Sequence, residues 1–542
     1  MIGVAKRFLL IGMVGLLGCP GDSEPEPTDL GGLSTRDLLV RASIDLRGVR
    51  PSADELAQVK ADPDALEPLI DAFLLDEGWS TQAMDLLGYA YLTRIETYYL
   101  LADQYGFGGV EDIGLFTASV GQEALQVAKR IAEEDLPWTE IVTADWTMAN
   151  EYIATMLPVD YPAGETGWQQ VQYTDGRPTA GILTTSTMWI RYTSTPSNVN
   201  RGRANAVSRM LLCNDYLDRE IEFDRDINLL DEALVLDAIQ NNPGCNACHS
   251  SLDPLASHFF GFMHIADGGA ELVTYHAERE NWWELITGTS PGYYGQHTAD
   301  LTDLGWAMAY DTRLASCAVE TFYEGLLQRD VQIEDTQRLL KHLSVFENNG
   351  LTLRALYRSV INGPEYRGKN VSGTVSAKMV RPEQFASQVE ALTGYRMTAY
   401  NYDLLQTDLF GIRTLAGGVD GESVTQPPKS PNVTTVLAQE RIAEAASWTV
   451  VEADARGDEA PLLFDEVDFS ENLDTARDAV RSQLESLHVH VLSHDPDEET
   501  DSAAIDASES LWGAIYDATN DPKAAWAGVL SALLRDPEFI FY

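Results

Sequence analysis

The 542-residue chain is predicted to be a mainly α-helical, multi-domain protein with a small β-hairpin region before residue 245. Three observations lead to this fold class. Apolar residues recur at helical spacing along most of the chain, the length allows about two to four domains, and hydrophobic residues (44%) outnumber charged ones (22%). This composition is typical of a folded globular protein and excludes collagen-like and disordered chains.

The charge balance excludes one class of partner. The chain has 84 acidic and 37 basic residues, which gives a formal net charge of −47. Such a charge repels the phosphate backbone of nucleic acids. We therefore expect no nucleic-acid partner.

Residues 1–19 resemble a bacterial lipoprotein signal peptide. Lys6 and Arg7 precede an apolar run over residues 8–17, which is too short to cross a bilayer and leads into Gly18-Cys19. Cys19 is then expected to be the lipidated first residue of the mature chain. An ordinary signal peptide that is cleaved elsewhere remains the alternative.

The segment after Cys19 supports export. Residues 20–33 are rich in Pro, Gly and Glu and are expected to form a flexible tether. Because Pro20 and not Asp follows Cys19, the resemblance to lipoproteins implies an anchor in an outer membrane, with the protein facing the periplasm or the cell surface. Under either interpretation the protein is exported, and its cysteines are then in an oxidising compartment.

Helical signals begin soon after the tether. Ser52 and Glu55 have the spacing of a capping box, and a single buried stripe follows at residues 66, 69, 70, 73 and 74. Similar stripes predict further helices over residues 120–131, 229–239, 317–327, 339–346 and 385–392.

Three helical domains are expected. An N-terminal domain covers residues 34–160, a central domain covers residues 161–372, and a C-terminal domain covers residues 373–542. The last boundary is placed in the polar joint over residues 368–375. A hairpin is expected inside the central domain, where residues 171–173 and 182–184 flank the turn signal Asp175-Gly176.

The chemistry is concentrated in Cys245, Cys248 and His249, which form a C-x-x-C-H motif. This is the spacing of c-type haem attachment, because two thiols three residues apart can reach the two vinyl groups of one porphyrin while the adjoining His ligates the iron. A local Cys245–Cys248 disulfide, a redox-active dithiol and half of a zinc site remain alternatives. The chain has no second C-x-x-C with which to complete a zinc ribbon.

The flanks of this motif resemble the planctomycete-type cytochrome c family of large secreted proteins. The resemblance rests on residues 245–262 and departs from the common Asp-Pro-Leu-Gly at Ala256. It extends over most of the mature chain in moderately specific blocks at residues 38–51, 136–140, 200–213, 291–295, 311–317 and 381–394. The resemblance implies a single covalent haem c bound by Cys245, Cys248 and His249, and electron transfer at the cell envelope.

The sixth ligand of such a haem is not named by the motif. Met263 is the first candidate because it follows the motif closely. Met308, His258 and His264 are alternatives, and each of them has an ordinary packing role as its simpler interpretation.

Five cysteines are present, and Cys19 with the motif pair accounts for three of them. The remaining two, Cys213 and Cys317, are expected to form a disulfide in an oxidising compartment, with buried free thiols as the alternative. A His cluster at residues 488, 490 and 494 is interpreted as a solvated helix face rather than a metal site.

Two functional classes follow. The first is a lipid-anchored c-type cytochrome that carries electrons, held to the membrane only by its anchor and served by a redox partner that the sequence does not identify. The second is a non-catalytic envelope scaffold or binding protein in which Cys245 and Cys248 form a structural disulfide. In both classes we expect a carrier or binding protein rather than an enzyme.

Overall fold

The computed structural model describes residues 32–542 apart from residues 96–97, 99, 196, 219–230, 265–270, 272, 369, 372–373, 376, 401 and 407–408. Helices dominate this part of the chain and its sheets are small and two-stranded, which confirms the mainly α prediction. The helices up to the C-x-x-C-H motif are α1 (Thr35–Arg47), α2 (Ala53–Ala61), α3 (Leu66–Phe73), α4 (Glu77–Tyr91), α5 (Val110–Val120), α6 (Glu123–Glu133), α7 (Glu140–Thr143), α8 (Glu151–Met156), α9 (Ser186–Arg191), α10 (Arg201–Leu212), α11 (Glu232–Asn241) and α12 (Pro243–Ala256).

The chain continues as helices to its C-terminal end. These helices are α13 (Trp283–Ile286), α14 (Leu301–Ala309), α15 (Thr312–Leu327), α16 (Thr336–Asn348), α17 (Leu353–Ile361), α18 (Pro364–Arg367), α19 (Pro382–Thr393), α20 (Ile412–Leu415), α21 (Val433–Arg456), α22 (Arg477–Leu492), α23 (Glu499–Thr519), α24 (Pro522–Leu533) and α25 (Pro537–Ile540). Among the described residues, no helix is both long and apolar enough to cross a bilayer.

Short antiparallel strand pairs interrupt the helices. They are β1 (Thr147–Ala149) with β2 (Gln169–Val171), β3 (Gly292–Tyr293) with β4 (Gln296–His297), β5 (Asn370–Val371) with β6 (Thr374–Val375), and β7 (Thr398–Ala399) with β8 (Tyr402–Asp403). The first pair lies before the C-x-x-C-H motif, as predicted, with Thr147 opposite Val171.

The detailed hairpin prediction was wrong. Residues 182–184 do not pair with residues 171–173, because Gly181–Thr184 forms a buried 3₁₀ turn. Gly181 has a positive φ of 52°, and a Cβ there would meet the carbonyl of Ile141. This close approach to α7 fixes the segment against the core and leaves β2 to pair with β1.

Local signals set the helix ends as expected. Ser52 accepts a hydrogen bond from the backbone N–H of Glu55, and the Glu55 carboxylate accepts one from the N–H of Ser52, which completes the predicted capping box. In α3, Leu66, Ile70 and Phe73 are buried, so the predicted stripe faces the core.

Two large apolar cores hold the helices together. The first draws on side chains between Leu39 and Tyr366, and the second on side chains between Met379 and Ile540. Helix α10 contacts both α12 and α15 within the first core. The segment that carries the C-x-x-C-H motif is therefore supported by α10.

A buried carboxylate links distant parts of the chain. Asp45 of α1 accepts hydrogen bonds from the hydroxyls of Tyr366 (2.6 Å) and Tyr542 (2.7 Å), and it forms an ion pair with Lys378. Burial lowers the pKa of Lys378 to about 7, although the adjacent Asp45 opposes this shift. The network joins the first core to the second.

Candidate functional site

Helix α12 places the three motif side chains together. Its N-cap, Asn242, accepts hydrogen bonds from the backbone N–H groups of Gly244 (2.9 Å) and Cys245 (3.4 Å), and Pro243 occupies the first helical position. Cys248 and His249 follow Cys245 at spacings of three and four residues. On a helix this spacing puts both thiols and the imidazole on one face.

The imidazole of His249 has a fixed orientation. Its Nδ1 lies 2.9 Å from Oδ1 of Asp253, one turn further along α12. Because an ionised carboxylate can only accept, Nδ1 donates the hydrogen bond, and in the tautomer that carries a single ring proton Nε2 keeps its lone pair. In the described part of the chain no residue hydrogen-bonds Nε2, and the His249 side chain is 24% exposed.

Asp253 is itself held in place by Arg201 at the start of α10. Nε and Nη2 of Arg201 donate to the two carboxylate oxygens over 2.7 and 2.9 Å. Burial would raise the pKa of Asp253, but the hydrogen bonds from Arg201 and His249 outweigh burial and hold that pKa below its usual range. The carboxylate therefore stays ionised and keeps accepting from His249.

Comparison with protein-family models, curated proteins and solved structures finds no match for this chain.

The two motif cysteines are present as thiols. Both are partly buried, and Cys248 packs against the first core. Two thiols and an imidazole with an available Nε2 are the donor set that covalent haem attachment requires, so the residues fit this group. Among the described residues, no group of three or more His, Cys, Asp and Glu side chains is arranged to hold a bare metal ion.

Met263 lies in a different apolar cluster from Cys248. It is 5% exposed and packs with Val199 and Phe260, and Trp282 and Trp283 lie against this small cluster. The structure therefore does not place Met263 in the core that Cys248 contacts. Its role as the sixth ligand stays a prediction.

Two of the other candidate ligands, Met308 and His258, have packing roles, whereas His264 directly follows Met263 and is partly buried. Met308 is fully buried in the first core. His258 uses both ring nitrogens, with Nε2 2.7 Å from Oγ1 of Thr298 and Nδ1 3.1 Å from the carbonyl oxygen of Leu255. Burial also lowers the pKa of His258 to about 4. These contacts favour a neutral, structural His258.

Cys213 and Cys317 form the predicted disulfide, with their Cα atoms 5.2 Å apart. Cys213 is the C-cap of α10 and Cys317 lies within α15. The bridge therefore ties α15 to the helix that supplies Arg201. Cys19 and the rest of the predicted leader lie outside the described residues.

The sequence analysis did not identify Asp253 and Arg201 as parts of this site. Asp253 follows His249 by four residues, a spacing that puts the two side chains in contact on a helix and was available as a signal. Arg201 lies 52 residues from Asp253, and only the packing of α10 on α12 brings the pair together.

The interpretation of the C-terminal His cluster as a solvated face was wrong. His488 and His494 are 1% and 7% exposed, and their Nδ1 atoms lie 3.0 Å apart. His488 also contacts Ser508, and His494 contacts Glu538 at 2.7 Å. His494 follows the end of α22, where Ser493 adopts the left-handed conformation and turns the chain back onto the helix.

Proposed function

We propose that the chain is a lipid-anchored, c-type cytochrome-like protein of the cell envelope that carries electrons through one covalent haem. One observation carries this proposal. Cys245, Cys248 and His249 lie on one face of α12, and Asp253 occupies Nδ1 of His249 while Nε2 remains available. A ligating His with its second nitrogen bound to a carboxylate is the usual arrangement around a protein-bound metal.

Each residue of the site has a distinct role in this proposal. Cys245 and Cys248 would hold the group through thioether bonds, and Nε2 of His249 would be its proximal ligand. When bound, haem supplies a site for reversible one-electron transfer. Asp253 and Arg201 are positioning residues, because they fix the ring plane and the tautomer of His249 without themselves reaching the group.

The fixed hydrogen bond also affects the chemistry of His249. An ionised acceptor at Nδ1 makes the imidazole a stronger electron donor at Nε2. Arg201 moderates this effect because it shares the negative charge of Asp253. We therefore expect the pair to tune the reduction potential of the loaded protein.

A scaffold or binding protein is the second candidate. Its support is the separation of Cys245 and Cys248 by a single helical turn, which allows the two thiols to be oxidised to a local disulfide in an exported protein. In that case His249 and Asp253 would stabilise α12 only.

Absorption spectroscopy separates these candidates. The full chain is produced in a host that has the cytochrome c maturation machinery, and haem is counted by the pyridine haemochrome method. We expect one haem per chain in the native protein, none in Cys245→Ser/Cys248→Ser, and one in the control Asn246→Ala, which keeps the motif. Colourless protein with a Cys245–Cys248 bridge in its peptide map would support the scaffold instead.

The envelope location rests on Cys19 and has its own test. We expect the native chain to partition with membranes, because the several acyl chains of a lipoprotein anchor hold a protein firmly at a membrane without a spanning helix. The Cys19→Ser variant should be released as soluble protein or remain an unprocessed precursor. Mass spectrometry of the mature N-terminus identifies the lipid. Equal membrane partition of processed Cys19→Ser would contradict lipidation.

A further inference from the structure

A cavity of about 810 Å³ lies away from the C-x-x-C-H motif. Its walls include the C-terminal ends of α4 and α15, the start of α19, and residues 417–429. The volume is within the range of small-molecule binding sites. None of the motif residues lines it, so whatever this cavity does is separate from the site on α12.

Four arginines line the cavity. Arg329 pairs with Asp335, and backbone carbonyls hold the other three in place. Arg191 donates to the carbonyls of Leu92 (2.8 Å) and Gly421 (2.5 Å), and Arg209 donates to that of Ala90 (2.9 Å). Arg381 donates through Nη2 to the carbonyl of Gly325 (2.7 Å).

These carbonyls belong mainly to the ends of α4 and α15, so the arginines partly serve as helix C-caps. None of the three guanidinium groups forms an ion pair with a carboxylate in the described part of the chain.

Two carboxylates on the same cavity wall also form no ion pair with a described residue, although Lys429 and Arg329, which line the cavity too, attract one of them, Glu324. Glu320 and Glu324 lie one turn apart on α15 and are partly buried. Burial raises the pKa of Glu320, and repulsion from Glu324 adds to this shift. Glu324 accepts a hydrogen bond from the backbone N–H of Val331 (2.7 Å) but, like Glu320, forms no ion pair within the described residues.

The buried charges next to the cavity, by contrast, form ion pairs. Close to the cavity, buried Arg94 pairs with Asp85 and buried Arg413 pairs with Glu383. Partly buried charges that lack partners are costly, and they are costlier when they repel one another. A ligand with complementary charges would relieve both unpaired groups at once.

We propose that the cavity binds a zwitterion with a free amino and a free carboxylate group, either an amino acid or a short peptide. The ammonium contacts Glu320 and Glu324, and the carboxylate contacts the free N–H groups of Arg381 with Arg191 and Arg209 beside it. A simple anion would leave Glu320 and Glu324 without an ion pair, and a simple cation would leave the three arginines without one. This inference does not depend on the proposed haem.

Calorimetric titration of the full chain tests the class of ligand. The probes are alanine, Ala-Ala-Ala, N-acetyl-Ala-Ala-Ala and Ala-Ala-Ala amide. We expect saturable binding of at least one of the two zwitterions, and at least tenfold weaker binding of each blocked peptide than of Ala-Ala-Ala if the ligand is a peptide. Alanine binding tighter than Ala-Ala-Ala would assign the cavity to free amino acids.

Variants then locate the site. Glu320→Gln/Glu324→Gln should weaken zwitterion binding at least tenfold and abolish the preference for a free amino group, whereas Glu347→Gln, an exposed carboxylate on α16, should not. Arg381→Gln should abolish the preference for a free carboxylate, with the exposed Arg441→Gln as its control. If Arg381→Gln does not fold, the glutamate variants still decide the matter.

Two results would overturn the inference. One is the absence of saturable binding of both zwitterions at millimolar concentration. The other is binding of a blocked peptide as tightly as the tighter-binding of the two zwitterions.

Discussion

Arg201 donates two parallel hydrogen bonds to Asp253, over 2.7 and 2.9 Å, and so joins the first turn of α10 to the last turns of α12. The same carboxylate accepts from Nδ1 of His249. The orientation of the motif His therefore depends on a residue from another helix. Bidentate pairs of this kind combine strength with a defined geometry.

Asp253→Asn should lower the free energy of unfolding by about 1–3 kcal/mol, because Arg201 and His249 lose an ionised acceptor. Urea unfolding at pH 7 measures this loss. The pKa of Asp253 is lowered in the folded chain, so its contribution is present above the usual carboxyl pKa and is lost as the pH falls through the folded value.

A double-mutant cycle with Arg201→Gln isolates the pair. We expect the two changes to be clearly non-additive. The exposed pair Arg441 and Glu444 is the matched control, since such surface pairs contribute little. Additive effects of the Arg201 and Asp253 substitutions would contradict the coupling.

Removal of the Cys213–Cys317 disulfide by Cys213→Ala/Cys317→Ala should cost about 4 to 5 kcal/mol in the chain-entropy description, because the bridge closes a loop of 104 residues. Denaturant unfolding measures the loss. Thiol labelling of denatured, unreduced protein with peptide mapping provides the check, and alkylation of either cysteine would show that the bridge is missing.

Acid should destabilise the chain through His488. Burial lowers the pKa of His488 from its usual 6.5 to about 4, and the neighbouring His494 adds to the shift. The unfolded chain then binds a proton that the folded chain does not, so stability is lost as the pH falls from 6.5 to 4, by up to about 3 kcal/mol. Urea midpoints across this range measure the slope.

His488→Gln should flatten that slope, since glutamine does not titrate. His490→Gln is the matched control, because His490 lies two residues away on the same helix but, within the described part of the chain, bonds only to Ser486. An unchanged slope in His488→Gln would exclude this residue as the source.

Gly305→Ala should destabilise the chain by about 1–3 kcal/mol, although alanine is normally the better helix former. A Cβ at residue 305 of α14 would meet the backbone carbonyl of Val142, which cannot move aside as a side chain can. Thermal unfolding measures the change. Gly108→Ala, where no atom lies within 4 Å of the added methyl, should have little effect.

Helices were predictable from the sequence because their signals are local. The capping box at Ser52 and the stripe of α3 each lie within a few residues, and both appear in the structure as expected. The partner of β2 was not predictable, because three-residue strands carry almost no alternation and their pairing depends on what packs beside them.

The candidate site also has a part that the sequence predicts and a part that it does not. The spacing of Cys245, Cys248 and His249 is local and identifies the candidate ligands, whereas Arg201 reaches the site only through helix packing. His488 is buried because α22 packs against α23, and the residues around His488 in the sequence do not indicate this packing. Contacts between residues that are distant in the sequence could therefore not be predicted from this sequence alone.

The Asp45 network has a consequence for the order in which the chain folds. Two of the groups that hydrogen-bond this carboxylate, Tyr366 and Tyr542, are 321 and 497 residues further along the chain. At ribosomal rates of roughly 5–20 residues per second, Tyr542 is synthesised about 25 to 100 s after Asp45. The first helix therefore emerges long before its buried carboxylate can be fully satisfied, and the Asp45 network is complete only once Tyr542 has been synthesised.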